Sequence, residues 1–92
     1  MTQDFKQQVI QIVTSIPSGE WISYGDVAVL AGRPRAARAV SSILKREGDA
    51  LPWHRVVAKG GRISIKEPEL RRIQIQKLES EGLVISRSGA IM

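Results

Sequence analysis

The chain has 92 residues, 42% hydrophobic and 25% charged, the balance of one globular domain rather than of a disordered or fibrous protein. It holds no cysteine and a single histidine, which excludes a disulfide framework, a thiolate metal site and any cysteine nucleophile. The net charge is +5, and the longest apolar run, Val27 to Ala31, is far too short to span a bilayer. The N-terminus, Met1-Thr2-Gln3-Asp4, lacks the basic-then-apolar build of a signal peptide, so a soluble cytoplasmic protein is expected.

In chain order, Phe5, Val9, Ile12, Val13 and Ile16 recur at helical spacing and predict an amphipathic helix over about 3–16, with Thr2 as its cap and Pro17 and Gly19 as its stop. Trp21-Ile22 reads as a short extended entry. Ser23, with Asp26 three residues on, has the form of a capping box opening a second helix from Tyr24 to Ala31, which Gly32 breaks. A third helix is predicted from about Pro34 to Glu47, with the proline in the permitted first turn. Two short helices joined by a glycine-containing turn outline a helix-turn-helix. Beyond it, Lys59-Gly60-Gly61-Arg62 predicts a hairpin turn. Pro68 opens a fourth helix, with Leu70, Ile73 and Leu78 periodic, and Gly82 closes it. Leu83-Val84-Ile85 and Ala90-Ile91, around Gly89, predict a last small hairpin. The expected fold is mainly α with short β-hairpins, a winged-helix layout in one domain over residues 1–92.

The charge is localised. Arg33, Arg35, Arg38, Lys45 and Arg46 fall within fourteen residues that hold no acid, and the other nine basic residues are balanced by nine acids. On a helix, Arg35, Arg38, Ser42 and Lys45 share one face, opposite Ala36, Val40, Ile43 and Leu44. A basic face on the second helix of a helix-turn-helix is the electrostatic footprint of nucleic-acid binding.

Three segments then have a specific look: Ser23-Tyr24-Gly25-Asp26-Val27-Ala28, Ala36-Ala37-Arg38-Ala39-Val40 and Pro52-Trp53-His54-Arg55-Val56-Val57. In this order they resemble the C-terminal, DNA-binding domain of the O6-alkylguanine-DNA alkyltransferases, whose active-site signature is Pro-Cys-His-Arg-Val. Trp53 stands where that signature has cysteine, the mark of the alkyltransferase-like proteins, which the chain resembles over essentially its whole length. The resemblance implies binding in the DNA minor groove through the second helix of the motif. That groove is only about 6 Å wide, so small residues such as Ala36, Ala37 and Ala39 suit the contact.

By the same resemblance, Arg38 is the arginine that fills the stack when a nucleotide is swung out, a task suited to a planar guanidinium. Tyr24 crowds the target's phosphate and hydrogen-bonds the flipped base. The implied lesion pocket comprises Tyr24, Trp53, His54, Val56 and Ile65, with the main-chain carbonyls of Trp53 and Val56 accepting the base's exocyclic amine. His54 and Glu81 match the pair that helps to deprotonate the family's cysteine, and here they are expected to remain as a structural hydrogen-bonding pair. An indole offers no nucleophile comparable to a thiolate, so alkyl transfer is not expected.

Two segments depart from the pattern. The loop before Pro52, Gly48-Asp49-Ala50-Leu51, is short and lacks the usual Asn-Pro, and Arg62-Ile63-Ser64-Ile65-Lys66 replaces the Gly-rich loop, making the pocket rim bulkier and more basic. Lys66 either faces the base or lies in solvent. The implied function is a non-enzymatic damage sensor that takes O6-alkylguanine from double-stranded DNA and marks it for nucleotide excision repair proteins. It is expected to act as a monomer, with no cofactor, metal or membrane, and nucleoid-associated when bound to DNA. The alternative is a winged-helix regulator on an operator, which would use two half-sites and larger major-groove side chains. A hydrolase built on His54 lacks a serine–histidine–acid arrangement.

Overall fold

The structure, a computed structural model, describes residues 4–92. Asp4 opens the first helix: its carboxylate accepts the Gln7 N–H at 2.8 Å, and α1 runs Phe5–Thr14. Thr2, the cap expected from sequence, lies outside the described residues, and Asp4 performs that task. Val9 and Val13 are fully buried on one side of α1, one turn apart, and Ile16 follows them into the core.

The chain turns at Pro17 into β1, Ile22–Ser23, and passes directly into α2, Tyr24–Leu30. The Ser23 hydroxyl accepts the Asp26 N–H at 3.0 Å, so the predicted cap is formed. The stop is equally local. Gly32 takes φ +88°, its N–H reaches the Val29 carbonyl at 3.0 Å, and the Arg33 N–H reaches that of Ala28 at 2.9 Å. This is a Schellman ending, which needs a left-handed residue at that position and satisfies two helix carbonyls.

The third helix starts later than predicted. α3 spans Ala37–Glu47, while Pro34 and Arg35 form a turn closed by the Ala36 N–H on the Arg33 carbonyl at 3.0 Å. No side chain near residue 36 can cap the end, so the helix begins only where the Val40 N–H first reaches the Ala36 carbonyl. Arg35 and Ala36 therefore precede the helix rather than lie on its face. α1, α2 and α3 bury Val9, Val13, Val27, Ala28, Val40 and Leu44 in one cluster, which fixes the angle of the helix-turn-helix.

After two short 3₁₀ turns, Gly48–Ala50 and Trp53–Arg55, β2 (Val56–Val57) pairs in parallel with β1, Ile22 opposite Val56 and Ser23 opposite Val57. The expected hairpins are reduced to isolated antiparallel bridges: Ala58 with Arg62, Arg62 with Ala90, and Ile85 with Ile91. The reason is that three segments share the pairing. The C-terminal residues lie across the 61–63 turn, with Ile63 N–H on the Gly89 carbonyl at 2.7 Å and Ile91 N–H on that of Gly61 at 2.9 Å. α4, Pro68–Ser80, is capped by the Glu67 carboxylate, which accepts the Glu69 and Leu70 N–H groups. Its core-facing residues are Gln74 and Leu78, whereas Leu70 is exposed and Ile73 half-buried. Leu78 packs with Val57 and Ile63 in a second, smaller cluster.

Gly32→Ala tests the turn. A methyl group there meets nothing within 4 Å, so the cost is backbone strain alone, about 1–2 kcal/mol, read as a lower urea midpoint with an unchanged slope.

Candidate DNA-binding face and base pocket

α3 presents Arg38, Ser42 and Lys45 to solvent at i, i+4 and i+7, and Arg35 is exposed in the turn before it. Among the described residues no acid forms an ion pair with Arg33, Arg35, Arg38, Lys45 or Arg46. Arg33, still exposed, lies over Phe5, 5.3 Å from the ring centroid. Ala36 and Ala37 are half-buried and Ala39 exposed, so no bulky side chain rises between the cations at the start of α3.

A cavity of about 370 Å³ lies beside this face. Tyr24 of α2, Ser41, Leu44 and Lys45 of α3, Trp53, Ile65, and Leu70, Ile73 and Lys77 of α4 line it, with Gly48 and Asp49 at its edge. Lys45 thus belongs both to the basic face and to the pocket wall. The volume falls in the range of small-molecule sites, and the lining is mostly apolar with a few polar groups, the usual chemistry of a recognition pocket. Burial pushes the Tyr24 phenol pKa up, so near neutrality its hydroxyl is protonated and able to donate.

Trp53 is fixed by contacts that the sequence reading did not include. Its indole N–H donates to Asp49 Oδ1 at 3.0 Å. The Lys77 ammonium lies 5.6 Å from the indole ring centroid and 3.4 Å from the same Asp49 oxygen. Those two neighbours, the indole first and the lysine second, hold the Asp49 carboxyl below its ordinary range. The Trp53 and His54 rings are perpendicular, centroids 6.4 Å apart and planes at 89°.

The structure brings Tyr24, Trp53 and Ile65 together in the cavity but leaves His54 and Val56 out of its lining. Both are buried behind it. The Val56 carbonyl accepts from the buried Gln74 amide at 3.1 Å, as does the His54 carbonyl at 3.2 Å, and the Trp53 carbonyl receives the Val56 N–H. Each of the two carbonyls expected to meet a base therefore already has a partner in the protein. A glutamine at a helix position otherwise reserved for core residues was the available signal for Gln74, and periodicity alone points to Ile73 instead.

His54 Nε2 and Glu81 Oε2 are 2.7 Å apart. Glu81 is also held by Arg55, whose Nε and Nη2 donate to the carboxylate at 3.0 and 2.7 Å, and by the Gly19 N–H at 3.0 Å. Arg55 Nη1 reaches the Ile16 carbonyl at 2.8 Å. The Arg55 guanidinium, foremost, lowers the Glu81 pKa to about 2. Sequence reading assigned Arg55 no role.

A larger groove of about 510 Å³ lies between α1 and Trp21, but Glu20 is its only ionisable wall residue, and it shares no residue with the basic face. Among the described residues, no cluster of His, Asp and Glu could hold a metal ion, and no helix is long and apolar enough to cross a membrane.

Two helices at a Schellman turn, the second basic, with its one acid, Glu47, at its C-terminal end, and packed on α1, define a helix-turn-helix DNA-binding domain. Residues 4–83 match the family described as "6-O-methylguanine DNA methyltransferase, DNA binding domain". The chain belongs to this family, among its alkyltransferase-like members. It is 56% identical over 89 residues to the DNA base-flipping protein of Escherichia coli K12, covering 95% of this chain and 68% of that protein. It is 34% identical over 85 residues to alkyltransferase-like protein 1 of Schizosaccharomyces pombe, 89% and 79% of the two chains. The crystal structure of S. pombe Atl1 in complex with damaged DNA containing O6-carboxymethylguanine superposes with a TM-score of 0.81 at 32% identity, over 99% of this chain and 90% of that one.

The Glu81 network has a definite acid signature. A carboxylate whose folded pKa lies below the unfolded value of 4.5 contributes stability above the unfolded pKa and loses it as pH falls through the folded one. Thermal melts should therefore show the wild type losing stability between about pH 4.5 and about pH 2. Glu81→Gln should be less stable at pH 7, and its deficit should shrink across that same window.

Proposed function

We propose that this protein is a non-enzymatic sensor of alkylated DNA. It binds double-stranded DNA in the minor groove through α3, takes O6-alkylguanine out of the stack into the Trp53 pocket, and holds it there without removing the alkyl group. The observation that carries this reading is the shared wall: Lys45 and Ser41 bring the pocket to the edge of a helix whose cations have no acidic partners. Unpaired cations are free to neutralise phosphates, and a flat indole beside a neutral phenol suits a purine ring.

Arg38, exposed at the second residue of α3, is the side chain proposed to enter the vacated stack. Tyr24 acts at the pocket entrance and Trp53 as its wall. The chain has no cysteine, so the acceptor on which alkyl transfer in this family depends is absent. A lesion that is held and not repaired must be passed on, and nucleotide excision repair in the cytoplasm is the proposed recipient.

Two measurements test this. On matched duplexes with guanine or O6-methylguanine at one position, the alkylated duplex should bind more tightly. Arg38→Ala should reduce that preference by about 1–3 kcal/mol, whereas Arg46→Ala should weaken both duplexes alike. Equal binding of both duplexes by the wild type would refute the sensor.

Incubated with O6-methylguanine DNA, the protein should keep an unmethylated intact mass at any stoichiometry. It should also shield the lesion from an added active alkyltransferase, with protection saturating near the dissociation constant. A methylated protein would overturn the chemistry, and a lack of protection would overturn the pocket.

A further inference from the structure

Three charged side chains line the pocket: Lys45, Asp49 and Lys77. They are not equivalent. Lys45 stands on the DNA-facing helix, while Asp49 and Lys77 come from the short loop before Pro52 and from α4, and they meet over the face and edge of the indole. One oxygen of Asp49 takes both the Trp53 N–H and the Lys77 ammonium. Asp49 is the middle residue of the 3₁₀ turn Gly48–Ala50 and lies four residues before Trp53, which opens the next one.

We propose that Asp49 is the specificity-determining residue of the pocket, its carboxylate both orienting the Trp53 wall and cancelling the Lys77 charge, so that the site accepts neutral O6-alkyl groups and does not reserve itself for anionic ones. This rests on the reading of the pocket as an O6-alkylguanine site. Removing the carboxylate charge unmasks Lys77 beside the bound base, and the pocket then favours an adduct ending in a carboxylate. The two duties of Asp49 are separable. Asparagine keeps an amide oxygen for the indole N–H and removes only the charge; alanine removes both.

The side chain of Asp49 is 85% exposed, so its replacement does not threaten the fold. Affinities of wild type, Asp49→Asn, Asp49→Ala and Lys77→Met should be measured on matched duplexes carrying guanine, O6-methylguanine or O6-carboxymethylguanine. The quantity read is the ratio of carboxymethyl to methyl affinity, in which general gains in phosphate attraction cancel. One unmasked charge at this distance and exposure should shift the ratio about threefold toward carboxymethyl in Asp49→Asn, and about threefold the other way in Lys77→Met. Both shifts should fade in high salt. In the free protein, the Trp53 indole N–H resonance should move in Asp49→Ala and be largely restored in Asp49→Asn, which reads the orienting hydrogen bond apart from the charge that the affinity ratio reads. Wild-type protein that binds all three duplexes alike overturns the pocket reading and this assignment with it. A wild type that prefers alkylated DNA, with a ratio neither substitution moves, overturns the assignment alone.

Discussion

The Glu81 carboxylate sits where three parts of the chain converge. It follows the last turn of α4, yet its donors come from the α1–β1 connection, through Gly19, and from the turn before β2, through His54 and Arg55. Both Arg55 and Glu81 are largely withdrawn from water, and the carboxylate is matched by two guanidinium donors, the Gly19 N–H and His54 Nε2. Removing one member of such a pair costs about 3–5 kcal/mol, since the other is left charged and unsolvated. The guanidinium extends the tie to the Ile16 carbonyl at the end of α1. In a domain with only two-residue strands, this polar joint does the work that a longer sheet would do elsewhere.

That joint also decides where the pocket lies. The two apolar clusters meet at β2, with Val56 in the helix-turn-helix core and Val57 in the cluster under α4. Gln74 stitches the same place from α4 by donating to the His54 and Val56 carbonyls. With α4 pinned at Gln74, Leu78 and Glu81, its preceding turns project Leu70 and Ile73 beyond the core, toward Tyr24 and α3. The cavity is the space left between a helix that packs on α1 and another held at Gln74 and Leu78. Its apolar walls are residues that a larger domain would bury.

Much of the helical architecture was legible because it is local. Ser23 announces the start of α2, and Gly32 and Gly82 announce Schellman ends that the structure forms with both bonds at each. The boundary of α3 was misread because a proline allows a helix to begin but does not supply a cap, and Ala36 offers no side-chain acceptor. The wing was overestimated for a different reason: turn residues around Gly60 and Gly89 specify reversals, and only tertiary contact decides that three segments share the pairing. Within the pocket, Tyr24, Trp53 and Ile65 were placed through a resemblance, while Asp49, Lys77, Leu70 and Ile73 were not foreseen. Leu70 and Ile73 carried a helical period that reads as core, and nothing in one sequence distinguishes a residue facing a core from one facing a cavity.

The persistence of His54 and Glu81 in a chain without cysteine follows from the same contacts. If their value lay only in drawing a proton from a thiol, neither would have a task here. The structure gives each another. Glu81 is neutralised first by Arg55, and its contact with His54 is a lesser influence on its ionisation. His54 packs its ring perpendicular to that of Trp53 and accepts the Gln74 amide on its carbonyl, so it is part of the wall's backing. A site can thus lose its reactive atom while keeping its shape, because the groups around that atom were also holding the fold. An indole, unlike a thiol, carries an N–H donor, and the loop before Pro52 supplies its acceptor in Asp49. The tryptophan and the loop before Pro52 are thus joined by one hydrogen bond, at the mouth of a mostly apolar pocket.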